Sequence, residues 1–151
     1  MPKPTLNRKV NQIAGQCIAS RWRAANRAIT SIYDQALRPL GVKVSQFNIL
    51  IATAKMGVAR PRDLGTHLRL EASTLSRNLE RMRASGWLET VADASDLRSQ
   101  SIRLTRSGLQ LIEEGYPLWE RAQREAAAWL GANGAKLLAH VDARGNPPNA
   151  G

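Results

Sequence analysis

Leu64-Gly65-Thr66-His67-Leu68-Arg69-Leu70-Glu71-Ala72-Ser73-Thr74-Leu75-Ser76-Arg77-Asn78-Leu79-Glu80-Arg81-Met82 is the stretch whose reading decides the fold. Leu64, Leu68, Leu75, Leu79 and Met82 are spaced to knit two helices across a tight turn. Pro61 opens the first helix, where its missing N–H costs nothing, and predicts a helix over about 61–68. The second helix is predicted over about 73–85, with Gly86 past its end. Leu75, Leu79 and Met82 point inward on it. At 100° per residue, position 77 lies about 200° round from position 75, so Arg77 faces outward. Ser73 and Thr74 share that face a turn earlier, and Arg81 a turn later.

Outward along the chain, residues 88–92 and 100–104 read as two strands, with Ile102 and Leu104 on one face. The polar segment Asp93-Ala94-Ser95-Asp96-Leu97-Arg98-Ser99 joins them. It lacks the alternating Asp spacing and the glycine of a calcium loop, and no metal site is expected. Two short helices followed by a hairpin predict a winged helix-turn-helix over about 45–105. Ser45 is the expected cap of a helix over about 46–55, with Phe47, Leu50, Ile51 and Ala54 as its apolar stripe and Gly57 past its end.

Long helices flank this unit. Val10, Ile13, Cys17, Trp22, Ala25, Ile29, Ile32 and Ala36 recur at mostly helical intervals, predicting one helix over about 7–37. Such a helix spans roughly 45 Å, more than a small domain needs. Thr105 can cap another helix over about 106–130, with Leu109, Ile112, Tyr116, Trp119, Ala126 and Leu130 as its stripe. Pro117 inside it should kink it or remove a hydrogen bond. A break at 131–134 precedes a last helix over about 135–144, and residues 145–151 read as a disordered tail. The fold class expected is mainly α with a small β-hairpin wing. The segments 7–37 and 106–144 carry apolar stripes that one domain cannot cover, including Val10, Ile13, Leu137, Leu138 and Val141, and so predict a homodimer.

The charge fits that fold to a polyanion. Among 151 residues, 22 Lys+Arg stand against 12 Asp+Glu, a formal net charge of +10. Such a field attracts nucleic acid or an acidic membrane surface. Arg and apolar residues interleave in the first helix without a clean polar face, which disfavours a membrane-surface helix. No run of about 18 apolar residues occurs, so no membrane span is expected. The single cysteine excludes an internal disulfide and fits a reducing, cytoplasmic setting. The P-loop, H-E-x-x-H, G-x-S-x-G, dinucleotide-glycine and C-x-x-C patterns are absent, so neither enzymatic activity nor a cofactor is expected.

An outward Arg near the start of a helix can grip guanine bidentately in the major groove, worth roughly 1–3 kcal/mol of discrimination. Small hydroxyls beside it permit close approach. Arg98, near the hairpin tip, is placed to enter the minor groove, and Asp96 to hold the wing through Arg98 or Arg81. The alternative is a non-specific basic nucleic-acid binder, which needs only scattered cations.

At this point the chain resembles the MarR family of multiple-antibiotic-resistance-type regulators. The resemblance covers about residues 11–130. It rests on Leu37-Arg38-Pro39-Leu40-Gly41 followed by Gln46-Phe47-Asn48-Ile49-Leu50, and on Ser73-Thr74-Leu75-Ser76-Arg77-Asn78-Leu79. It rests further on Gly86-Trp87-Leu88, and on Asp96-x-Arg98 followed by Leu104-Thr105-x-x-Gly108. It implies a cytoplasmic homodimeric transcriptional repressor that binds pseudopalindromic operator DNA. Release is implied on binding a small, often aromatic, acid between the dimerisation and DNA-binding parts. Carried over by position, Ser73, Thr74, Ser76 and Arg77 enter the major groove and Arg98 the minor groove. Two positions depart from the family pattern. Arg69 stands where the turn often holds Gly, and offers a phosphate contact. Glu71 stands where the cap is often Asp, so that Ser73 would cap a shorter helix.

Cys17 has two readings. One is a small apolar member of the helix stripe. The other is an oxidant sensor, since some relatives sense through a first-helix cysteine and Arg21 at i+4 can favour the thiolate. Trp22 and Trp119, on the two long helices, are core or interface residues first and candidate effector-pocket walls second. His67 and His140 have no partner motif.

Overall fold

The structure is a computed structural model, and it describes residues 4–92 and 100–139. The order is α1 (Pro4–Gln16), α2 (Ile18–Leu37), a 3-10 turn (Arg38–Leu40), α3 (Val44–Met56), β1 (Val58–Ala59), α4 (Pro61–Leu68), α5 (Ala72–Ala84), β2 (Leu88–Ala92), β3 (Gln100–Leu104) and α6 (Arg106–Ala139). The expected loop 93–99, the far end of the expected last helix and the expected tail 145–151 lie outside the described residues.

The expected first helix is two helices. Cys17 adopts φ −63°, ψ 109° and separates α1 from α2. Its N–H still donates to the Ile13 carbonyl at 3.0 Å, and its own carbonyl accepts from the Arg21 N–H at 3.1 Å. The chain therefore bends at one residue without losing both flanking ladders. The Arg21 guanidinium donates across the bend to the Gly15 carbonyl.

Ser45 does not cap α3. The helix starts at Val44, whose N–H donates to Asp34 Oδ1 at 2.8 Å, while the Lys43 N–H donates to Gln46 Oε1 at 3.1 Å. A side chain ten residues upstream thus satisfies one orphan donor and ties α2 to α3. The buried face of α3 is Phe47, Ile49, Leu50, Ala52 and Thr53, whereas Ile51 and Ala54 of the expected stripe are exposed. Thr53 is fully buried because its hydroxyl donates to the Ile49 carbonyl at 2.7 Å.

The sheet has three strands in the order β1-β3-β2, all antiparallel. The hairpin pairs Leu88 with Leu104 and Ala92 with Gln100. The extra strand β1 pairs Val58 with Arg103 and Ala59 with Ile102. Two residues are too few to show alternation, which is why it is invisible in the sequence.

α6 runs on to Ala139 with one non-helical residue inside, Gly131 at φ 67°, ψ 178°. That glycine makes the expected break; Pro117 leaves the helical dihedrals intact. The inner face of α6 is Gly108, Leu111, Gly115, Ala122 and Ala126, while Leu109 and Tyr116 are exposed. Small residues win here because elements come close. A Cβ on Gly115 would lie 2.5 Å from the Phe47 ring, and one on Gly108 would lie 2.2 Å from the Trp87 carbonyl oxygen. α6 also packs on α2, where the Tyr33 hydroxyl donates to Gln123 Oε1.

One core joins these parts. Leu37, Val42, Phe47, Leu50, Leu64, Leu75, Leu79, Met82, Leu88, Ile102 and Leu111 belong to a single buried cluster. Each such side chain is worth about 1.5–3 kcal/mol on full burial, so α5 is anchored by three of them.

Candidate nucleic-acid interface

α4 and α5 form the helix-turn-helix. Pro61 occupies the first turn of α4, and Leu64 is fully buried beneath it. α4 ends at Arg69, a left-handed residue with φ 53°, ψ 44°, whose N–H bonds the Gly65 carbonyl. The Leu70 N–H donates to the same carbonyl at 3.0 Å. A Cβ added at Gly65 would meet the Leu70 carbonyl oxygen and the Leu75 side chain at 3.5 Å, an ordinary contact, so the turn does not itself require glycine there.

α5 begins at Ala72 with Glu71 in the cap position and no side-chain cap bond. Ser73 therefore lies inside the first turn, and the shortened helix expected from a Ser73 cap does not occur. Leu75, Leu79 and Met82 are buried, and Ser73, Ser76, Arg77 and Arg81 are exposed on the other face. Thr74 is half-buried, with its carbonyl accepting from Asn78 Nδ2 at 3.0 Å.

The hairpin is braced against this helix. Arg83 Nη1 donates to Thr90 Oγ1 at 3.3 Å, and Arg103 pairs with Glu89 at 2.5 Å across the register pair of β2 and β3. Such an exposed pair is worth about 0–1 kcal/mol and mainly fixes geometry. Arg98 and Asp96 lie outside the described residues. A groove of about 600 Å³ runs between α4, α5 and β3, walled by Arg62, Thr66, Leu70, Ser76, Arg83 and Ile102 among others. Only the fold makes it, and no spacing in the sequence signals it.

Above this unit, a hollow of about 300 Å³ is lined by Ile29, Thr30, Tyr33, Val44, Asn48 and Trp119. Trp119 is thus brought to a pocket wall. Trp22 is not among its lining residues and is 48% exposed. Burial pushes the Tyr33 hydroxyl pKa up from its ordinary value. Ile29, Tyr33 and Asn48 carry no sequence signal for this role; they meet because α2, α3 and α6 converge. The other face of α2 borders a polar groove of about 740 Å³ with Arg27, Arg38 and Lys43 on its walls.

Cys17 is half-buried at the bend. Its thiol pKa lies below the usual value, chiefly because of the Ser20 backbone N–H and then the Ser20 hydroxyl; burial opposes them, and the Ala19 N–H adds a lesser contribution in their direction. The expected Arg21 contribution is absent, because that guanidinium is on Gly15. Val10, Ile13, Leu137 and Leu138 are exposed at 52%, 67%, 52% and 43%; Val141 lies outside the described residues.

A helix-turn-helix flanked by a braced hairpin, with serines and arginines outward on the second helix, defines a winged helix-turn-helix protein. The chain belongs to the MarR family, whose pattern matches residues 40–99. The multiple antibiotic resistance protein MarR of Salmonella typhimurium is 27% identical over 89 residues, which is 59% of this chain and 62% of that one. The chain thus spans less than two thirds of that curated relative's length. The M. tuberculosis transcriptional regulator MOSR, solved in complex with DNA, is 32% identical, with a TM-score of 0.72 over 82% of this chain and 92% of its own. Bordetella bronchiseptica BpsR is 22% identical, with a TM-score of 0.74 over 82% and 89% of the two chains; its structure concerns regulation of DNA binding by 6-hydroxynicotinic acid.

Proposed function

We propose that this protein is a transcriptional regulator that binds pseudopalindromic operator DNA as a homodimer and represses nearby genes. The observation that carries the reading is α5: its apolar face is locked in the core while Ser73, Ser76, Arg77 and Arg81 face solvent beside the hairpin. Arg77 reads a base edge. Ser73, Thr74, Ser76 and Arg81 position the helix through phosphates or neighbouring bases, Arg98 reaches the minor groove, and Asp96 orders the wing. The M. tuberculosis regulator MOSR, solved in complex with DNA, supports this.

The dimer forms through the exposed apolar residues of α1 and the end of α6, namely Val10, Ile13, Leu137 and Leu138, together with Val141. A small aromatic acid is the effector, seated against Trp119 and Tyr33, where α2, α3 and α6 meet; BpsR supplies the analogy. The test is fluorescence anisotropy with DNA flanking the protein's own gene and a scrambled competitor. Preference by about a thousandfold, lost in Arg77→Ala, supports the reading. Equal affinity for both duplexes points instead to a general nucleic-acid binder.

A second reading has one observation in its favour. Cys17 sits at the bend between α1 and α2 with its thiolate favoured by Ser20. Attack of that thiolate on a peroxide would give a sulfenate at the bend and release the other peroxide oxygen as water or hydroxide. Peroxide-dependent loss of DNA binding that Cys17→Ser abolishes would establish this input.

A further inference from the structure

We propose that Arg69 is kept in an unfavourable left-handed conformation because its guanidinium clamps a DNA phosphate, so that this turn gives up fold stability for affinity. The inference rests on the DNA-binding reading above and adds a contact to it. Among the described residues, five have positive φ; four are Gly41, Gly57, Gly86 and Gly131, and the fifth is Arg69. A side chain with a Cβ is disfavoured there, and a long unbranched one gains nothing locally that Gly or Asn would not. The chain uses glycine at the ends of α3 and α5, so an α4 terminus of this shape does not itself call for an arginine.

Nor does the fold use the charge. The Arg69 backbone N–H is spent on the Gly65 carbonyl, which fixes the residue in place. Its side chain is exposed and makes no hydrogen bond or ion pair among the described residues. Strain kept without a structural return belongs to the class of features found at binding sites. The position suits that use. Arg69 lies in the turn that feeds α5, two residues before the cap Glu71, whose side chain makes no cap bond. Ser73 and Arg77 follow on the exposed face of the same helix. A guanidinium held on a fixed backbone at the mouth of that helix presents a planar fork to a phosphate oxygen. Contacts of this kind set affinity and register and carry no base preference.

The two halves of the proposal move in opposite directions under one substitution. Arg69→Gly removes both strain and charge, Arg69→Asn keeps a residue tolerant of the conformation without charge, and Arg69→Lys keeps charge and strain. The melting temperature of each is measured by calorimetry. Affinity is measured from about 50 to 300 mM KCl for a duplex that the wild-type chain selects from a random pool. Arg69→Gly is expected to melt about 1–3 °C higher and to bind about tenfold more weakly, with the ranking of duplex sequences unchanged. Its log K against log salt slope should be shallower by about 0.9 for each Arg69 that touches a phosphate. Arg69→Asn should bind like Arg69→Gly, and Arg69→Lys should keep the wild-type slope. Unchanged affinity and slope in Arg69→Gly would overturn the clamp, and a lower melting temperature would overturn the trade. Failure of the underlying reading looks different: the wild-type chain selects no sequence, and Arg77→Ala changes nothing.

Discussion

The junction of hairpin and α6 gives the sharpest quantitative expectation, through Gly108→Ala. A Cβ built on Gly108 lies 2.2 Å from the Trp87 carbonyl oxygen, 3.1 Å from the Trp87 carbonyl carbon and 3.2 Å from Leu104 Cδ2. The first of these partners is backbone and cannot rotate away. Restoring ordinary contact moves that carbonyl by roughly 1 Å. The same oxygen accepts the Thr105 N–H at 3.1 Å, so the bond stretches beyond useful length. The surrounding bonds resist the motion: Thr105 Oγ1 donates to the Gly86 carbonyl at 2.5 Å and accepts the Gly108 N–H at 3.1 Å. Overpacking costs about 1–3 kcal/mol, and the lost hydrogen bond about 0.5–1.5 kcal/mol. Alanine returns up to about 1 kcal/mol of helix propensity. The net destabilisation is about 1–3 kcal/mol, or roughly 2–12 °C in melting temperature for a chain of this size. Calorimetry reads it directly. Gly15→Ala, where nothing lies within 4 Å of the added Cβ, is the control and should be neutral or slightly stabilising. Gly108→Ala melting with the wild type would refute the close approach of α6 to Trp87.

Three further outcomes are expected. Asp34→Ala, which strips the Val44 N–H of its acceptor, should cost about 1 kcal/mol by thermal melting, with Asp34→Asn retaining most of the stability. The Cys17 thiol should titrate below the ordinary thiol value of about 8.5 when iodoacetamide reactivity is followed against pH, and Ser20→Ala should move the midpoint back up. Since the folded pKa is depressed, this group's contribution to stability is fully present above the unfolded pKa and is lost as pH falls through the folded one. Ile13→Asp combined with Leu138→Asp should convert a sedimenting dimer to monomer, and an unchanged dimer would place the interface elsewhere.

The parts legible in the sequence are those fixed by strong local rules. Pro61, the leucine spacing from Leu64 to Met82 and the run bounded by Gly86 set α4, α5 and the hairpin, whose strands match residue for residue. What escaped was set by distant partners. Asp34 chooses where α3 begins, and Phe47 and Trp87 demand glycine on α6, so the buried line there follows Gly108, Leu111 and Gly115 rather than the large side chains. The bend at Cys17 has no proline to announce it, and Gly15 two residues earlier is itself helical. At the candidate site, the outward direction of Arg77 follows from helix periodicity alone. The left-handed state of Arg69 and the hollow around Tyr33 exist only once the helices are assembled.

Sequence-specific recognition by α5 is tested most directly by selection from random duplexes. Full-length wild-type protein and the Arg77→Ala variant would be carried through the same rounds. The expected result is an enriched inverted repeat whose half-sites lie about one helical turn apart, 10–10.5 base pairs centre to centre or a multiple of it, with enrichment lost in the variant. A wild-type pool that stays random, or a variant that enriches the same repeat, would contradict it.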